Sequence, residues 1–108
     1  MTDDQAALRA SWDRTAGYLD AAQTLLSDLP NVDLSPTREF LEHNELGLAF
    51  DYLVYLGHDL DVPQSYWQHL DHAAHEMRLY SPEADKDHRA SAEICRLHLE
   101  PESGIESL

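Results

Sequence analysis

The apolar residues nearest the N-terminus fall at helical spacing. Leu8, Trp12, Thr15, Leu19, Ala22, Leu26 and Leu29 recur at alternating steps of four and three, so they line one seam of a helix. Thr2 followed by Gln5 has the form of a capping box at its start, and Pro30-Asn31 stops it. The spacing predicts a helix over residues 3–29. Gly17 inside it costs about 1 kcal/mol relative to Ala, and the seam is long enough to absorb that. No stretch of the chain alternates apolar and polar residues as a strand would, and no internal repeat is visible. The chain therefore reads as all-α, a small single-domain bundle of four to five helices over residues 1–100. The Gly/Ser/Glu-rich stretch 101–108 reads as a disordered tail.

The later helices follow from caps and periodicity. Ser35-Pro36 starts a second, short helix, with Ser35 as N-cap and Pro36 in the first turn, ending near His43. Asn44 is the expected N-cap of a third helix, with Glu45 complementing the positive end of its dipole. In that helix Leu46, Ala49, Phe50, Leu53 and Leu60 share one face, while Leu48, Tyr52, Tyr55 and Leu56 form a second. A helix apolar on two faces is expected to be central and covered on both sides. Gly47 and Ala49 leave room for another backbone at its first turn, and Gly57 loosens its last. Asp61 with Gln64 looks like a further capping box, opening a fourth helix over residues 62–79. Tyr66, Leu70, Ala73, Ala74 and Met77 form its buried stripe, with Trp67 at the margin. Ser81-Pro82-Glu83 opens a fifth over residues 81–99, carrying Ala90, Ile94 and Leu97 inward.

Charge narrows the function classes. The 108 residues carry 21 acidic side chains against 7 basic ones, a formal net charge of -14. Such a surface repels DNA, RNA and anionic membranes and attracts a basic partner. The same charge also serves solubility alone, or reflects an acid-biased proteome in which six arginines accompany the single Lys86. The richest apolar stretch, residues 46–60, contains Asp51, His58 and Asp59 and is too short and too charged to span a bilayer. Met1-Thr2-Asp3-Asp4 is followed by no apolar signal region, and Cys95 has no second cysteine to pair with. Both point to the cytoplasm.

Chemistry-bearing residues are few. His69, His72 and Glu76 share a helix face at spacings of three and four, as zinc or iron ligands would. That face lies away from the apolar stripe, so a solvated or partner-facing row is the expectation, with no metal or other cofactor. His58-Asp59 matches the doublet of metal-dependent phosphohydrolases, which need further His and Asp ligands from distant helices. Cys95 and His98 are a turn apart, yet no oxyanion loop accompanies them and Glu93 and Glu100 flank them, so Cys95 reads as structural. Four unclustered glycines exclude a phosphate-cradling loop, and basic patches for nucleic acid are missing. Nothing here argues for an enzyme.

One segment carries a family resemblance. His43-Asn44-Glu45-Leu46-Gly47-Leu48-Ala49-Phe50-Asp51 resembles the MafI-like group of bacterial immunity proteins. There a short helix leads into a Gly/Asn–Glu–aromatic–Gly-Leu-Ala-Leu–acidic stretch, followed by a tyrosine-bearing helix. Tyr66 falls where that tyrosine would lie, and the similarity spans residues 35–77. Leu46 stands where an aromatic residue is expected, and Phe50 where an aliphatic one is.

The resemblance implies a protein that occludes a cognate, basic toxin, often a nuclease, with carboxylates standing in for substrate phosphates. The residues expected to contact the toxin are Glu42, His43, Glu45, Asp59 and Asp61, chosen for exposure and charge, with Trp67 or Tyr55 as aromatic anchor. A monomer or homodimer is compatible with this. The alternative is a non-catalytic helical adaptor, which an exposed apolar patch around Tyr52, Tyr55 and Trp67 would favour. A metal-dependent hydrolase using His69, His72 and Glu76 is the outsider.

Overall fold

The structure, a computed structural model, describes residues 2–99, with side chains from residue 4 onward. It consists of α1 (Thr2–Leu26), α2 (Ser35–Glu42), α3 (Leu46–His58), α4 (Gln64–Glu76) and α5 (Lys86–Leu99), with no strand among the described residues. The all-α single-domain bundle read from the sequence is the architecture found. The Thr2 side chain of the expected capping box, and the stretch from Pro101, lie outside the described residues.

The helix α3 touches all four others, as its position at the centre of the chain's apolar density requires. Its buried residues are Leu46, Ala49, Phe50, Leu53, Val54 and Gly57, one continuous face. Against that face α4 packs Tyr66, Trp67, Leu70, Ala73 and Ala74, and α1 adds Leu19, Ala22 and Leu26. The Tyr66 hydroxyl reaches into this core and donates to the Leu53 carbonyl at 2.6 Å, so the one polar atom of a buried ring is satisfied. Burial pushes that phenol well above its usual range. Gly57 is where the rings meet the α3 backbone: a Cβ there would overlap Tyr66 and lie 3.1 Å from Trp67. It makes room for aromatic packing and does not merely loosen a helix end.

The seam of α1 is buried over only part of its length. Thr15, Leu19, Ala22 and Leu26 are buried, whereas Leu8 is 50% and Trp12 40% exposed. The cause is helix length. α1 and α4 run antiparallel, with Tyr18 beside His72 and with Ser11 and Arg14 bound to Glu76 at the last residue of α4. α1 residues before Ser11 therefore run past the end of α4.

The ends of two helices are set by left-handed residues that the sequence reading placed otherwise. Asn44, with φ 57°, is not the N-cap of α3 but the residue that closes α2. Its N–H donates to the Leu41 carbonyl and the Glu45 N–H to the Phe40 carbonyl at 2.8 Å, a Schellman closure. Glu45 takes the N-cap position of α3, with no side-chain cap bond. Arg78, φ 58°, closes α4 in the same way, with Leu79 N–H donating to the Ala74 carbonyl.

Other caps also differ. Ser35 is the first residue of α2 and not its N-cap, a position that falls to Leu34 without a side-chain cap bond, while the Asp33 carboxylate accepts the Ser35 N–H at 3.0 Å. Those hydrogen bonds from Ser35 hold Asp33 below its usual range. The Asp61–Gln64 box does not form: Pro63 precedes α4 without a cap bond, and the Gln64 amide donates to the His98 carbonyl. Residues 78–84 form turns, so α5 starts five residues later than Ser81, where Asp85 caps it by accepting the Asp87 N–H. Its inward residues are Ala92 and Cys95, not Ala90 and Leu97, which are exposed. Ile94 packs at the edge of the core.

Candidate functional site

The surface that stands out is the outer face of α3. Successive residues of a helix turn by about 100°, so Leu48, Tyr52 and Tyr55 form one stripe opposite the buried Phe50, Leu53 and Gly57. That second apolar face was expected to be covered, and it is so only in part: Leu56 packs against the core and Tyr52 is half-buried. Leu48 is 44% and Tyr55 66% exposed. Tyr52, between them, is pinned because its hydroxyl donates to the Asp33 carbonyl at 2.9 Å, which ties the stripe to the turn before α2.

Carboxylates bracket this stripe. At one end the Schellman turn reverses the chain tightly and leaves Glu42, His43 and Glu45 exposed. At the other end Asp59 and Asp61 are exposed in the connection to α4. The two groups are not one cluster, because the 13 residues of α3 set them about 20 Å apart. Among the described residues none of these carboxylates has an ion-pair partner; the pairs present are Arg14–Glu76, His75–Asp71 and His88–Asp51.

The expected aromatic anchors separate. Tyr55 is exposed, but Trp67 lies in the core at 3% exposure, so it is not a surface anchor. Its ring stacks on His98 with centroids 3.9 Å apart and meets Tyr66 edge-on. The α4 periodicity put Trp67 at the edge of the stripe, but α5 packs over that edge and covers it.

The His69, His72 and Glu76 row does not assemble into a ligand set. Glu76 accepts hydrogen bonds from Arg14 Nε at 2.8 Å, Arg14 Nη2 at 3.1 Å and Ser11 Oγ at 2.8 Å. The Arg14 bond foremost holds its carboxyl below the usual range. The His72 ring stacks on Tyr18. Among the described residues no group of three or more His, Cys, Asp or Glu side chains converges as metal ligands would. Ser11, Arg14, Tyr18, His72 and Glu76 instead line a groove of about 560 Å³ between α1 and α4.

Two contacts between α3 and α5 had no signal in the local sequence pattern. His88 Nδ1 and Asp51 Oδ2 lie 2.7 Å apart, and a Cβ at Gly47 would sit 2.7 Å from His88 Nε2. The glycine thus admits an imidazole, not a second backbone. Further along, His58 Nδ1 and His98 Nε2 lie 3.1 Å apart. Both pairs join residues forty or so positions apart, beyond the reach of spacing rules. Cys95 is buried, its thiol donating to the Trp67 carbonyl at 3.4 Å and pushed by burial up to about 12. It is not a thiolate at neutral pH.

Comparison with known proteins gives no match, whether to a family model, a curated protein or a solved structure. Among the described residues no helix is long and apolar enough to cross a membrane.

Proposed function

We propose that this protein is a non-catalytic immunity protein of the cytoplasm that binds a basic protein toxin and occludes its working surface. One observation carries the reading. The outer face of the central helix keeps Leu48 and Tyr55 in water, with exposed carboxylates at both of its ends. An aromatic residue on a rigid helix is a low-entropy anchor for a partner, and flanking carboxylates steer a basic protein towards it. The net charge of -14 adds long-range attraction of the same sign. The immunity function itself is supported by the resemblance of residues 43–51, which form the Glu45 corner and the first turns of this helix.

The mechanism needs no bond making. Glu42 and Glu45 at one end, and Asp59 and Asp61 at the other, take the places that substrate phosphates occupy on a basic cleft. The apolar stripe between them excludes water from the contact.

The test is rescue. The open reading frame encoded beside this one is expressed with and without the chain, and survivors are counted. Toxicity relieved by the chain supports the proposal; a harmless neighbour, or toxicity it fails to relieve, removes it. Changing Glu42, Glu45, Asp59 and Asp61 together to Lys is expected to abolish rescue with the helical circular dichroism unchanged. Retained rescue would take these carboxylates out of the interface.

A second reading, an adaptor that buries an apolar strip against a neutral partner, is favoured by the exposure of Leu48 and Tyr55 themselves. Salt separates the two. Association with a basic toxin slows steeply as ionic strength rises, while an apolar docking hardly changes.

A further inference from the structure

We propose that His58 and His98 form a two-histidine chelate for a divalent first-row transition ion, of the zinc or copper type, clamping the ends of α3 and α5. The facing atoms are His58 Nδ1 and His98 Nε2, 3.1 Å apart. Two imidazole nitrogens bound to one zinc ion at tetrahedral angles stand about 3.3 Å apart, given Zn–N bonds of about 2.0–2.1 Å. The observed separation therefore needs only a few tenths of an ångström of adjustment. The rings meet near-perpendicular, at 83° with centroids 5.3 Å apart.

The surroundings favour a cation over a shared proton. α3 and α5 run in the same direction here, since Asp51 meets His88 and His58 meets His98. His58 is the last residue of α3 and His98 lies in the last turn of α5. Two negative dipole ends thus converge on the space between the rings, and each favours a cation. The His98 ring is held in place by its stack on Trp67, with planes 3° apart, and its backbone carbonyl accepts the Gln64 amide. One ligand is thereby preorganised, while the exposed His58 can adjust. Among the described residues only these two side chains face the space, so the remaining positions open to water or to a carboxylate of a bound partner. The site is distinct from the α4 row, whose Glu76 is already held by Arg14 and Ser11.

The experiment is calorimetric titration of zinc chloride into the full-length protein in chelator-free buffer. A saturable one-to-one isotherm is expected, weakened by about tenfold or more in His58→Gln, whose removal leaves one imidazole. The His69→Gln/His72→Gln double variant should titrate like the wild type. Copper(II) added to the wild type should give a paramagnetic resonance spectrum with two coupled nitrogens, falling to one in His58→Gln. His98→Gln also removes the support of Trp67, so His58→Gln decides. The absence of a zinc isotherm, binding that survives His58→Gln unchanged, or binding lost in the α4 double variant would each overturn the proposal.

Discussion

On its inner face α3 presents Phe50, Leu53 and Val54 to α1, α4 and α5; on its outer face it leaves Leu48 and Tyr55 in water beside the half-buried Tyr52. Both faces are apolar enough to be buried, and only one is buried throughout. The difference lies in the neighbours. The turn before α2 and the helix α5 meet the sides of α3 through Tyr52–Asp33 and Asp51–His88, leaving Leu48 and Tyr55 between them open. The molecule is correspondingly thin, 21 Å in its shortest dimension, or about two helix diameters. Hydrophobic patterning thus tells that a face can be covered. Whether the same chain covers it depends on how many helices remain.

The inner face should break first. Phe50→Ala empties a fully buried ring site and is expected to cost about 3–5 kcal/mol in chemical denaturation. Gly57→Ala pushes a methyl into Tyr66 and Trp67, at about 1–3 kcal/mol by overpacking. Trp67 fluorescence should shift with it. A loss under about 0.5 kcal/mol, the range of a neutral surface change, would mean the aromatic pair is not seated on α3. Within α1 the same contrast is testable on one seam. Leu19→Ala, fully buried, should cost about 2–5 kcal/mol, whereas Leu8→Ala, half exposed, should stay within about 0.5 kcal/mol.

Smaller effects sharpen the picture at the turns and at the outer strip. Arg78 holds a left-handed φ of 58°, so Arg78→Gly should stabilise the fold by up to about 1 kcal/mol. Destabilisation would mean that its side chain contributes more than the strain it carries. Leu48→Ser with Tyr55→Ser should change stability by no more than about 0.5 kcal/mol, because water already reaches both residues.

Much of the fold was legible in the sequence because it rests on period and punctuation. The Thr15–Leu26 part of the α1 seam, the short α2 after Ser35 and the α4 stripe of Tyr66, Leu70, Ala73 and Ala74 recur in the structure, while Leu8, Trp12 and Leu29 of that seam stay exposed. The register of α5 was not legible, because its inward residues are the small Ala92 and Cys95. Trp67 from α4 packs beside them, its carbonyl accepting the Cys95 thiol, so α5 fits its bulk to its neighbour and not to its own periodicity. Asn44 misled for a related reason: asparagine suits both an N-cap and a left-handed closing residue, and only the hydrogen bonds to Phe40 and Leu41 decide. Of the candidate site, the exposure of Glu42, Glu45, Asp59 and Asp61 followed from their places at helix ends, whereas periodicity put Tyr55 on a face expected to be covered. The burial of Trp67 was not legible, since its cover is α5, distant in sequence.

The most direct test of the central claim is cell survival with the neighbouring toxin frame expressed beside the Leu48→Ser/Tyr55→Ser chain. This chain should accumulate and fold as the wild type does, yet no longer protect. Full protection by the folded double variant would contradict it, and would move the partner's contact away from the outer face of α3.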